Sequence, residues 1–127
     1  MATPYHVNYG WARIGPRHWN ERSVVTLQAD LGAPGRAAAL VKELEQWFAT
    51  MEHGTDPRSF PTSTVALDGG CQFPAPVCVD EHQVTAWIVS HGEDAFDSIA
   101  SHAEALRRVA EDVASDVEIT WTELPHR

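Results

Sequence analysis

Between Ser23 and Glu123 the apolar residues of this chain switch repeatedly between a spacing of two and a spacing of three to four, and the switches mark out strands and helices. Val24, Val25, Leu27, Ala29 and Leu31 predict a strand over Ser23–Leu31, stopped by Gly32-Ala33-Pro34-Gly35. Ala37, Leu40, Val41, Leu44, Trp47, Phe48 and Met51 then recur on one helical face. Gly54 is placed to cap that helix in the left-handed region, with His53 beside its last carbonyls. A short strand follows over Ser63–Leu67, then a Gly/Pro loop from Asp68 through Pro76, a second short strand at Val77–Val79, and the turn Asp80-Glu81-His82. Gln83–His91 is apolar on both alternating rows, as a central strand should be. Ala95, Phe96, Ile99, Ala103, Leu106, Val109, Ala110 and Val113 form the apolar face of a second helix. Glu93, Asp94 and Asp97 stand in its first turn, and Glu104 and Arg108 are spaced to pair on its outside. Val117, Ile119 and Trp121 alternate with Glu118, Thr120 and Thr122 in a last strand over Asp116–Glu123. Upstream of all this, Tyr5, Val7, Tyr9 and Trp11 alternate with His6, Asn8 and Gly10, which predicts an extra amino-terminal strand.

The order β-α-β-β-α-β is that of an α+β, ferredoxin-like sandwich: a four-stranded antiparallel sheet with two helices on one face, here with the added amino-terminal strand, in one domain spanning residues 1–127. This architecture hosts many unrelated activities, so function has to be read from particular residues. The helices should cover the greasier rows, Val25/Leu27/Ala29, Val65/Leu67, Val84/Ala86/Ile88 and Val117/Ile119/Trp121. The uncovered face then carries Thr26, Gln28, Asp30, Thr64, Ala66, Thr85, Trp87, Val89, His91, Glu118, Thr120 and Thr122. Such a face is closed either by the amino-terminal strand and the 68–82 loop or by a second copy, and a homodimer is the expectation.

Eighteen acidic against nine basic residues give a net charge of -9, which repels phosphate and removes nucleic acid from the partners expected. No run approaches the roughly 20 apolar residues of a membrane span, so no membrane partner is expected. The amino terminus has neither the basic start nor the apolar stretch of a secretion signal, and the cytoplasm is the expected location. Cys71, Cys78 and His82 follow C-x6-C-x3-H, looser than the knuckles of structural zinc sites, so no metal is expected and both cysteines are read as thiols that a loop would allow to meet. The glycine-rich phosphate loops, the H-E-x-x-H helix and the G-x-S-x-G elbow are all missing, and no cofactor is expected.

His91, at the junction of a strand and a helix, is the candidate general acid or base, with Gln28 and Asp30 as its catalytic partners. Adjacent Ser90 projects to the opposite face and is no nucleophile for it. Trp87, Trp19, Tyr9 and Glu118 are the candidate substrate-binding residues of a pocket on the uncovered face. Asp30 and Glu118 become a carboxylate pair only where their side chains converge. His102 belongs at the core edge. Two functions follow. One is a small-molecule-binding protein, whose enzymatic form is cofactor-independent acid–base catalysis in that pocket. The alternative is an acidic, non-catalytic module of regulatory or toxin-neutralising immunity type that engages a basic protein partner.

Overall fold

Residues 3–6, 24–53, 64–68, 71–91 and 95–124 are described in the computed structural model, with only the backbone described at 24, 52–53, 64–68, 91 and 95–96. In chain order the elements are β1 (Val24–Gly32), α1 (Ala37–Phe48), β2 (Glu52–His53), β3 (Thr64–Asp68), β4 (Cys71–Pro74), β5 (Val77–Asp80), β6 (Gln83–His91), α2 (Ala95–Val113) and β7 (Glu118–Glu123). Five strands make the body of an antiparallel sheet in the order β3-β4-β6-β1-β7, β2 extends it beyond β3, and β5 pairs with β6.

β1 is the spine of this sheet. Its whole length pairs with β6, from Val24 opposite His91 to Gly32 opposite Gln83, and its second half pairs on the other side with β7. The period-2 reading of these strands holds. Val25, Leu27, Ala29, Leu31, Val84, Ala86, Ile88 and Ile119 share one buried cluster with Leu40, Leu44 and Phe48 of α1 and Ile99, Ala103, Leu106 and Ala110 of α2. Both helices therefore lie on one face. Turns at one end of the sheet lock the layers together. Ala33 N–H donates to the His82 carbonyl at 2.8 Å and Gly35 N–H to His82 Nδ1 at 3.0 Å. Gly35 sits at φ +72°, a conformation that favours glycine. The Arg36 guanidinium donates to the Val113 carbonyl at 2.8 Å, so the residue that opens α1 satisfies an orphan carbonyl at the end of α2.

Three expectations are corrected. The apolar spacing of α1 runs on through Met51, which does pack against the core, but Thr50 and Met51 N–H groups bond back to Trp47 and Phe48 over three residues, and the α-helix stops at Phe48. His53 consequently lies in β2, opposite Ala66, and not at a helix terminus. The loop expected from Asp68 to Pro76 contains β4, paired antiparallel with β3 and with Asp68 opposite Cys71. The sheet is thereby wider than the four strands expected, and the 71–80 segment lies in its plane beside β6 and not over the open face. The amino-terminal strand is not seen at Tyr5 and His6; the rest of its expected span lies outside the described residues. The Tyr5 ring meets the Trp121 ring with centroids 5.7 Å apart, its hydroxyl donates to Glu123 at 2.7 Å, and the Trp121 indole N–H donates to the Thr3 carbonyl at 2.8 Å.

Both cysteines are free thiols, Cys71 buried and Cys78 exposed. Their partners on β6 are Ser90 and Val84, which sets them about 20 Å apart along the strand and rules out the bridge that a loop would have allowed. Cys78 is expected to react with a thiol reagent in the native protein and Cys71 only after denaturant is added; immediate reaction of both would contradict the placement of Cys71.

Candidate functional site

The face away from the helices is built by the alternate residues of β1, β6 and β7. Register sets Gln28 opposite Trp87 and Asp30 opposite Thr85, and these four side chains form one hydrogen-bonded chain. The Trp87 indole N–H donates to Gln28 Oε1 at 3.1 Å, Gln28 Nε2 donates to Asp30 Oδ2 at 3.1 Å, and the Thr85 hydroxyl donates to Asp30 Oδ1 at 2.9 Å. All four are half-buried. The chain uses the only donor of the indole, both ends of the amide and both carboxylate oxygens, so each group fixes the rotamer of the next. The charge on Asp30 is met by neutral donors; among the described residues no basic side chain pairs with it.

Charge is divided between the layers. Each described Lys or Arg, namely Arg36, Lys42, Arg107 and Arg108, lies in α1, in α2 or at the start of α1. The strands and their turns carry Asp30, Asp80, Glu81, Asp116, Glu118 and Glu123. On the helix layer the four cations stand among Glu43, Glu45, Asp97, Glu104, Glu111 and Asp112, and two of them are paired. Arg107 bridges Glu104 and Glu111, and Arg108 reaches Glu104 at 3.3 Å. The hydrogen bond from Arg107 holds the Glu104 carboxyl below its ordinary value and raises that of the guanidinium. A carboxyl lowered in the folded state stabilises the fold above its ordinary value of 4.5 and loses that contribution as pH falls through its folded value. Arg107→Met should therefore melt earlier than the parent at neutral pH yet lose less on acidification. Thermal midpoints at neutral and acidic pH check this, and equal acid shifts would contradict it.

At the turn end of the open face lies a groove of about 480 Å³ lined by Gly32, Gln83, Asp80, His82, Asp116 and Glu118. Gly32 pairs with Gln83 on one side and Glu118 on the other, and its lack of a side chain leaves the space between them. A Cβ there would meet only the Glu118 carbonyl, at 3.8 Å, so the strand tolerates a side chain that the groove does not. Across the face burial is graded. Glu118, Thr120 and Thr122 are exposed, the β1 and β6 polar residues are half-buried, and Gln72 and Val89, paired at the far corner, are buried. Val77 and Val79 in β5 are 42% and 55% exposed, the large apolar side chains most open to water among the described residues.

Of the residues expected at a site, Gln28, Asp30 and Trp87 are brought together. Glu118 stands apart, opposite Gly32, where it lines the groove. The His91 backbone is paired with Val24, six residues along β1 from Asp30, so the two positions are about 20 Å apart and Glu118 is farther still. Tyr9 and Trp19 lie outside the described residues, as does the side chain of His91. Thr85 completes the hydrogen-bonded chain; its place on the open row was legible, but its role depends on the register of β1 with β6. Among the described residues no group of three or more His, Cys, Asp or Glu is arranged to hold a metal ion, and no helix is long and apolar enough to cross a membrane. No family model, curated protein or solved structure matches this chain.

Proposed function

We propose that the protein is a non-catalytic interaction module that docks a basic protein partner on its open sheet face. The observation that carries this reading is the distribution of charge: the described Lys and Arg are confined to the helix layer, while the strands and turns carry carboxylates alone, Asp30 among them in the hydrogen-bonded chain of a Trp whose orientation is fixed by Gln28. A rigid aromatic surrounded by polar groups is the composition of an interface centre, and complementary charge supplies encounter rate and selectivity. We read the order β4-β6-β1-β7, with both helices on one face, as a ferredoxin-like core that the β2–β3 ribbon extends. Pairing of two copies through the open face sets Asp30 and Glu118 against like charge, so this reading places a basic protein there in preference to a homodimer. Neutralising a basic toxin is one task such docking performs.

The test is titration with two peptides of equal apolar content, one rich in Arg and one rich in Glu. The basic peptide should bind with an affinity that falls steeply as salt is added, and the acidic one should not bind. Binding of both alike, or binding indifferent to salt, contradicts the reading.

The Gly32 groove supports a second reading, a small-molecule site. Gly32→Val should leave the fold intact and abolish uptake of any ligand seated there; retained uptake would remove the groove from consideration. Acid–base chemistry shared by His91 with Gln28 and Asp30 gains no support from the register, which holds His91 at the other end of the face.

A further inference from the structure

We infer that the outer edge of β5 receives a short, extended, basic segment of the partner as an added strand. This rests on the reading of a basic partner and specifies how it is held. β4 and β5 run along the same side of β6, Cys71 and Gln72 opposite Ser90 and Val89, then Val77, Cys78 and Asp80 opposite Thr85, Val84 and Gln83. β4 ends at Pro74, and Ala75 and Pro76 separate it from β5; prolines cannot donate to a ladder. β3 pairs with β4, from Thr64 opposite Pro74 to Asp68 opposite Cys71, and on its other side with β2, but not with β5. Among the described residues, therefore, no strand lies on the outer side of β5.

An edge strand turns alternate N–H and C=O groups outward, where they are a template for another chain. Proteins commonly guard such edges with lysine, and β5 has none. Its end carries Asp80 and the adjoining turn Glu81. These acids oppose an acidic strand and favour one bearing Arg or Lys. All four residues of β5 are exposed; Val77, opposite Thr85, stands on the open-face side next to the hydrogen-bonded chain of Trp87, Gln28, Asp30 and Thr85, and Val79, 55% exposed, is the residue at which the register shifts. The occupant that fits is a segment alternating β-branched and basic residues, apolar against Val77 and cationic toward Asp80 and Glu81. Its length is limited to about that of β5, because Pro76 precedes the strand and the register shifts between Cys78 and Asp80.

The experiment uses the whole protein, isotope-labelled, and an alternating Arg/Val peptide, its twin with alternate backbone nitrogens methylated, and a Glu/Val peptide. The Arg/Val peptide should slow hydrogen exchange at β5 amides, and methylation of the nitrogens that face β5 should weaken binding by about tenfold. Equal binding of the methylated twin, with shifts at Trp87 and Thr120, overturns strand addition and leaves open-face docking standing. Equal binding of the Glu/Val peptide overturns the basic class of the segment. Protection of β5 without peptide, growing with protein concentration and a doubled mass, assigns the edge to a second copy and overturns the inference. No response to any peptide overturns both the inference and the docking reading.

Discussion

Phe73→Ala is expected to lower the free energy of unfolding by about 3–5 kcal/mol, the range for deleting a buried aromatic from a core that relaxes only in part. Phe73 is fully buried, and its ring lies 5.4 Å from Trp47, 5.4 Å from Phe48 and 5.3 Å from His102, so it joins both helices to β4. His102 is itself fixed by a 2.7 Å bond between its Nδ1 and the Ser98 carbonyl. Against a total of about 5–15 kcal/mol for a small domain, such a loss is large. Phe73→Leu, which keeps most of the volume, should cost clearly less and stay measurable if the alanine variant fails to fold. Urea unfolding of the two variants checks this, and a Phe73→Leu variant as damaged as Phe73→Ala, or an alanine variant within about 0.5 kcal/mol of the parent, would remove Phe73 from the core.

The same residue shows where the sequence was hard to read. Phe73 stands in Cys71-Gln72-Phe73-Pro74, between Gly69-Gly70 and Ala75-Pro76, and a strand of four residues among glycines and prolines offers too little alternation to separate from loop. The Gly-Gly pair was the available signal, since two such residues between paired strands are a common hairpin connection. Gln83–His91 and Ala95–Val113 were legible because their periodicity runs for several repeats; the bounds of the strand coincide with those expected, and Glu93 and Asp94, expected in the first turn of the helix, lie outside the described residues. The end of α1 was not, because Met51 keeps the helical spacing while the backbone has already tightened.

The candidate site was legible as a face and not as a constellation. Alternation alone put Gln28, Asp30, Thr85 and Trp87 on one side of the sheet, but which of them touch depends on register, and register is set by pairing partners distant in sequence. His91 shares the row and lies at its other end.

Trp87→Ala is the second large effect. Truncating a central aromatic of an interface costs about 2 kcal/mol or more, roughly thirtyfold in affinity, and here it also leaves Gln28 Oε1 without its donor. Trp87→Phe keeps an aromatic face and loses only the N–H, so it should fall between the parent and the alanine variant. Asp30→Asn acts differently. It keeps one oxygen to accept a hydrogen bond and removes a charge, so affinity for the basic peptide should fall and its dependence on salt should flatten. Binding by the three variants, with far-ultraviolet circular dichroism to establish that each is folded, distinguishes these effects. Parent-like affinity in Trp87→Ala would remove the indole from the interface.

The most direct measurement is a nuclear magnetic resonance titration of the labelled protein with the Arg-rich peptide, read residue by residue. Docking on the open face predicts shifts at the Trp87 indole N–H, Thr85, Thr120 and Thr122, with Lys42 and Arg108 on the helix layer unmoved. Shifts confined to the helix layer, or spread evenly over both faces, would contradict it.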